Sequence, residues 1–303
     1  AIQNEELLYE MGTAIAKECK TMGIHFNFAP VVDVNSNPLN PIINARSYGE
    51  DPLNVSNKAL ALMNGMQESG VLACAKHFPG HGDTDSDSHK TLPVVNHKKV
   101  RIDTVDLIPF KRLIDAGVAS VMVAHLNIPS IDSTENRAST LSPYVVDTML
   151  RQQLNFSGLT FTDALNMKGV SSFYESGVLE VAALQAGNDV LLFPEDIPAA
   201  FTAIKKAIQD SLLTEDRINQ SCHKILKAKE WLGLSSDVQI DTLNVLKRAQ
   251  NDDSKLLIRR LEEAALTLLK NTDQEIPIEE LKYQKIAVLT LGNLDSEAFV
   301  NQL

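Results

Sequence analysis

The chain is poor in cysteine, in basic excess and in long apolar runs, and each shortage removes a class of protein. Its three cysteines, Cys19, Cys74 and Cys222, are an odd number, far apart and without a Cys-x-x-Cys pair. That pattern suggests neither a disulfide framework nor a cysteine-based zinc site. Lysine and arginine total 28 against 39 aspartates and glutamates, a formal charge of −11. Such a balance opposes the phosphate neutralisation that nucleic-acid binding requires, so nucleic acid is set aside as a partner. No apolar run reaches the roughly 18 residues of a membrane span, and the chain is not read as transmembrane. Ala1 opens what reads as a polar helix start rather than a basic-then-apolar leader, as if the chain were cut from something longer. Internal repeats and low-complexity tracts are also missing.

What remains is 303 residues with 44% hydrophobic content, enough to fill the core of one large α/β domain plus a remnant. Short apolar, β-rich runs alternate with helix-period stretches, the pattern of a parallel sheet with crossover helices. The strand candidates are Ile24–Val34, Val71–His77, Ser120–Leu126, Leu159–Asp163 and Asp189–Phe193. Asp51-Pro52 and Ser142-Pro143 place a cap residue ahead of a first-turn proline, and Gly70, Gly117 and Gly187 close helices. The expectation is an α/β fold, a TIM-type (β/α)8 barrel. Five βα units do not close it, so its first strands are expected upstream of Ala1. After the helix Thr214–Leu232 comes a charged helical stretch, Asp241–Lys270, and then a strand-like run, Lys285–Leu291. Three segments follow: a catalytic barrel domain over 1–234, a linker helix region over 235–273, and over 274–303 the start of a second α/β sandwich domain.

Four of the five strand candidates end in polar or charged residues: Asp33, Lys76-His77, His125 with Asn127, and Asp163. Catalytic groups collect at the carboxyl ends of strands in barrels and open α/β sheets alike. The second end runs into Lys76-His77-Phe78-Pro79-Gly80-His81-Gly82-Asp83-Thr84-Asp85-Ser86-Asp87-Ser88-His89, with three histidines and three aspartates in fourteen residues. Pro79, Gly80 and Gly82 make it an irregular loop. It can be read as a solvated polar loop without a role. It can be read as a calcium loop through Asp83, Asp85 and Asp87, but Ser88 stands where the turn glycine belongs and Val94 where the closing glutamate belongs. His77 and His81 have the spacing of zinc ligands on a helix, yet Pro79-Gly80 breaks that helix. The remaining reading is proton transfer: Asp87 and His89 are close enough for the carboxylate to hold one imidazole nitrogen and keep the histidine titrating near neutrality. Asp163, ending an apolar strand, supplies a partner across a substrate. By position alone it caps the following turn equally well; the loop favours the catalytic reading.

These residues resemble glycoside hydrolase family 3, and within it the bacterial cell-wall-recycling β-N-acetylhexosaminidases. The likeness rests on Lys76 to Gly82 followed by Asp87-Ser88-His89 and Leu92-Pro93, on Ala29-Pro30-Val31-Val32-Asp33-Val34, on Asn44-Ala45-Arg46-Ser47-Tyr48-Gly49, on Ala124-His125 and on Thr162-Asp163-Ala164-Leu165. It runs from about Ile2 to Leu234. The resemblance implies a retaining exo-β-N-acetylglucosaminidase with Asp163 as nucleophile, His89 as acid/base and Asp87 orienting it. It places Arg46, Lys76 and His77 on the sugar and calls for no metal or organic cofactor. The family's Asp-x-Glu-Gly-Gly-Arg strand end is not in this sequence, in line with strands expected upstream. Phosphorolysis by the same Asp163 and His89 stays open, as does a carbohydrate-binding module without turnover. The expected partner is a glycan carrying N-acetylglucosamine, the expected state a monomer, and the compartment leans to the cell envelope.

Overall fold

The computed structural model describes residues 2–85, 91–236, 242–249 and 252–272, and beyond them 274, 276–278, 285, 287–289, 297 and 301. The chain divides into two units, Ala1–Ala265 and Leu266–Leu303. In the first, helix α1 (Glu5–Thr21) starts at Asn4, whose Oδ1 accepts the Leu7 N–H at 3.1 Å, and carries Glu5 and Glu6 in its first turn. Both features satisfy the positive end of a helix. Helix α2 (Pro52–Glu68) starts as the sequence predicts: Asp51 accepts the Asn54 N–H at 2.7 Å, with Pro52 in the first turn. The two helices touch backbone to backbone. A Cβ on Gly12 would lie 2.4 Å from Leu62 O, and one on Gly65 2.1 Å from Tyr9 O.

Four parallel strands follow in sequence order, β1 (Phe26–Asn27), β2 (Leu72–Phe78), β3 (Ser120–Val123) and β4 (Leu159–Thr162). The expected first strand is much shorter than Ile24–Val34. The Ala29 N–H turns back onto Asn27 O at 2.8 Å, so the Cys74 N–H takes Ala29 O instead and the regular ladder lapses after Asn27. It resumes where Val32 N donates to Lys76 O at 2.8 Å. The expected strand at Asp189–Phe193 is also reduced, to a single bridge between Val190 and Phe161. Thr162 Oγ1 takes the Leu192 N–H at 2.9 Å in place of a ladder carbonyl, and Phe193 turns to a left-handed φ of 47°.

The sheet separates two apolar clusters. Ala73, Ala75, Phe78, Val121 and Val123 face Val55, Leu62, Met66 and Phe110 of the surrounding helices. Cys74, Met122, Leu159 and Phe161 pack on the other side with Phe26 and Phe28. β2 changes sides once. Lys76 pairs with Met122 but Phe78 pairs with Val123, so His77 is an extra residue, a bulge. A bulge re-aims side chains. Here it returns Phe78 to the helix-facing core and frees His77.

At the amino end of the sheet, Asp189 is fully buried and accepts from Arg151 Nη2 at 2.5 Å, Ser221 Oγ at 2.6 Å and Thr160 N at 3.0 Å, with Lys224 Nζ at 3.3 Å. Ser221 and Lys224 belong to the helix Glu215–Trp231, which this carboxylate ties to the sheet. The charged stretch expected at Asp241–Lys270 forms helices Val245–Ala249 and Asp252–Ala265; Arg260 of the latter forks onto Glu10 of α1 at 2.5 and 3.0 Å. Of the strand-like run Lys285–Leu291, residues 286, 290 and 291 lie outside the described residues. Among the described residues no helix is long and apolar enough to cross a membrane.

Candidate active site

The strand ends that the sequence marks as polar converge at the carboxyl edge of the sheet. Asp163 follows β4, with its N–H on Val123 O at 3.0 Å and its Oδ1 accepting the Ala164 N–H at 2.8 Å. Burial pushes its carboxyl up, but His77, His125, the Ala164 N–H and Lys76 more than offset this and hold it below the ordinary carboxylate range. It is an anion at neutral pH. Lys76, half-buried on β2, has its ammonium pushed down by burial and by Arg46, with Asp163 and Asp33 opposing. Arg46 Nη2 stands 3.5 Å from His77 Nε2. Four of the six residues singled out from sequence, Asp163, Arg46, Lys76 and His77, therefore share one electrostatic site. The other two, Asp87 and His89, lie outside the described residues.

Two supports were visible in the sequence only as polar strand ends. Asp33, fully buried, takes His77 Nδ1 on Oδ2 at 2.7 Å and the His81 N–H on Oδ1 at 2.7 Å. Burial raises its carboxyl, and the His77 ring and the His81 N–H bring it below its ordinary value. His125, equally buried, sets Nδ1 against Thr140 Oγ1 at 2.8 Å, and its Nε2 donates to Ala164 O at 3.0 Å. It thus clamps the peptide that follows Asp163. The sequence offered no signal for Thr140, which comes from a separate turn.

The loop after β2 is fixed at its near end. A Cβ on Gly82 would lie 1.9 Å from Val34 O, so only glycine lets the chain pass there. His81 is held neutral, pushed down to about 4 by burial and by His77, and its Nδ1 meets Thr84 Oγ1 at 2.7 Å. Asp83 is engaged by Ser36 Oγ at 2.9 Å and by His97 Nε2. Among the described residues, no three histidine, cysteine or acidic side chains are grouped to hold a metal ion.

A parallel β/α sheet whose strand ends gather a buried anion, a lysine, an arginine and histidines belongs to the α/β proteins that act on ligands at the carboxyl edge. Within that class the assignment is specific: residues 1–228 match the glycosyl hydrolase family 3 N-terminal domain, and the chain belongs to this family. It is 35% identical over 290 residues to beta-hexosaminidase A of Pseudoalteromonas piscicida, covering 89% of this chain and 48% of that protein. The structure of a family 3 beta-N-acetylglucosaminidase from Paenibacillus superposes with a TM-score of 0.82 at 37% identity, covering 88% of this chain and 51% of the other. A beta-glucoside phosphorylase superposes with a TM-score of 0.81 at 27% identity, over 85% of this chain and 48% of that one. The chain spans about half the length of the relatives it matches.

Proposed function

We propose that this chain carries the catalytic domain of a retaining exo-β-N-acetylglucosaminidase, acting on terminal β-linked N-acetylglucosamine of muropeptides or chitooligosaccharides. Its sheet is read as part of a (β/α)8 barrel. The observation that carries the proposal is Asp163, kept ionised at the carboxyl end of β4 beside Lys76 and His77. In the first step an Asp163 oxygen bonds to the anomeric carbon as the bond to the departing oxygen breaks, and His89, oriented by Asp87, gives that oxygen its proton. In the second, His89 takes a proton from water, the water oxygen bonds to the anomeric carbon, and the Asp163 ester bond breaks. Arg46, Lys76 and His77 position the sugar, so that binding energy is spent on orientation and on the charge that develops in the transition state. The relatives described as beta-hexosaminidases support this reading.

A fluorinated slow substrate is expected to trap its glycosyl group on Asp163, located by peptide mapping; labelling of another carboxylate overturns the assignment. His89→Ala is expected to slow substrates with poor leaving groups far more than activated aryl glycosides, and equal losses contradict an acid role. The similarity to a beta-glucoside phosphorylase favours one second reading, phosphorolysis. A neutral histidine repels an incoming phosphate less than a carboxylate does. Product analysis in phosphate buffer separates the two: N-acetylglucosamine 1-phosphate means phosphorolysis, free sugar alone means hydrolysis.

A further inference from the structure

Asp33 is an expensive choice for the place it occupies. Its carboxylate is fully buried, and among the described residues no lysine or arginine pairs with it; its only ion-pair partner is His77. Among the described residues its carboxylate is contacted by nitrogens alone: His77 N at 3.1 and 3.2 Å, His77 Nδ1 at 2.7 Å and His81 N at 2.7 Å. Two backbone N–H groups alone would be served by a neutral acceptor, without the cost of desolvating a charge. What a carboxylate adds is that both oxygens can only accept. It therefore compels the ring nitrogen facing it, Nδ1, to carry a proton.

We infer that Asp33 is a positioning residue for sugar recognition: it locks His77 with its proton on Nδ1, so that Nε2 faces the pocket as a hydrogen-bond acceptor for a sugar hydroxyl. Arg46 agrees with this polarity. Its Nη2 can only donate, so at 3.5 Å it disfavours a proton on that same Nε2, while so long a contact leaves the ring's single lone pair to the sugar hydroxyl. The bulge makes the arrangement possible. In an unbroken strand His77 would alternate away from Lys76, whereas here the ring reaches Asp33 on one side and Arg46 on the other. A carboxylate that fixes a histidine's tautomer from behind leaves the exposed nitrogen with a defined role. This rests on the proposed function for the identity of the sugar, but not for the tautomer.

Nitrogen-15 spectra of the protein with labelled histidine test the tautomer directly. His77, assigned by its loss in His77→Gln, is expected to show a protonated Nδ1 and a bare Nε2 at pH 7.5. A resting Nε2–H form overturns the inference, whatever the enzyme does. In Asp33→Asn an amide N–H can face Nδ1, and the proton is expected to move to Nε2. Inhibition by free N-acetylglucosamine is then expected to weaken by about 10–100-fold. In an Asp33→Asn, His77→Gln double variant the losses should not multiply, because both act on one contact. Unchanged inhibition in Asp33→Asn, or fully multiplicative losses, refutes the positioning role. A wild-type protein that shows the expected tautomer yet neither binds nor cleaves N-acetylglucosaminides instead removes the proposed substrate.

Discussion

Asp189→Asn is expected to weaken the fold without touching the chemistry. The carboxylate it removes is completely inaccessible and holds Arg151 at 2.5 Å, with Lys224 at 3.3 Å and Arg217 at 3.6 Å, while Ser221 and the Thr160 N–H complete its shell. The amide keeps the shape but leaves three cations facing one another around a neutral group. Breaking a buried ion pair from one side costs about 3–5 kcal/mol. Arg151, Arg217 and Lys224 keep 15%, 20% and 27% of their side-chain surface in water, so the lower end applies. About 3 kcal/mol corresponds to a midpoint lowered by roughly 6–12 °C. Urea unfolding is the assay: the midpoint should fall with no change in slope. Turnover per folded molecule should stay at the wild-type value, because Asp189 sits at the opposite end of the sheet from Asp163. Burial raises the Asp189 carboxyl, but Arg151, Ser221, Lys224 and the Thr160 N–H hold it below its ordinary value. The wild type therefore keeps this contribution above the unfolded pKa of about 3.9 and loses it as pH falls through the lower folded value. The variant should lack that part of the acid limb. A midpoint shift worth less than about 1 kcal/mol, or an acid limb identical to wild type, refutes the reasoning.

Gly82→Ala drives a Cβ to 1.9 Å from Val34 O; a destabilisation at the upper end of about 1–3 kcal/mol and loss of activity are expected, by calorimetry and aryl glycoside assay. Asp106 behaves oppositely to Asp189: burial raises its carboxyl from 3.8 to about 6 in spite of Arg101. The folded state then holds the proton more tightly, so its contribution is full below 3.8 and is lost as pH rises to about 6. Asp106→Asn should flatten the stability profile across that window, and an unchanged slope would count against the shift.

The alternation of apolar runs and helices, and the proline-marked starts of helices, were legible because they depend on neighbours in sequence. Asp51 caps α2 from three residues away, and the strands at β2, β3 and β4 fall within a residue or a few of their expected bounds. Pairings across the fold were not legible. Asp33 meets His77 across 44 residues, and Arg151 meets Asp189 across 38. Nothing in a local pattern joins such positions. Asp33 and His125 were recognisable as polar strand ends, but not as supports, because that role depends on which ring nitrogen each contact engages. The Asp189–Phe193 run read as a strand from its apolar composition. A threonine hydroxyl that takes the Leu192 N–H leaves no mark on that composition.

The bulge at His77 also ties spacing to chemistry. A regular strand offers its two faces in strict turn, so neighbouring residues serve opposite masters. One surplus residue suspends that rule just long enough for Lys76 and His77 to serve the same pocket, and Phe78 then rejoins the core behind the sheet. Deleting His77 would restore the regular pleat, with Lys76 and Phe78 on opposite faces, and leave no imidazole beside the lysine. The pocket's cation and its imidazole can thus be replaced one at a time, but the count of residues that presents them cannot be changed.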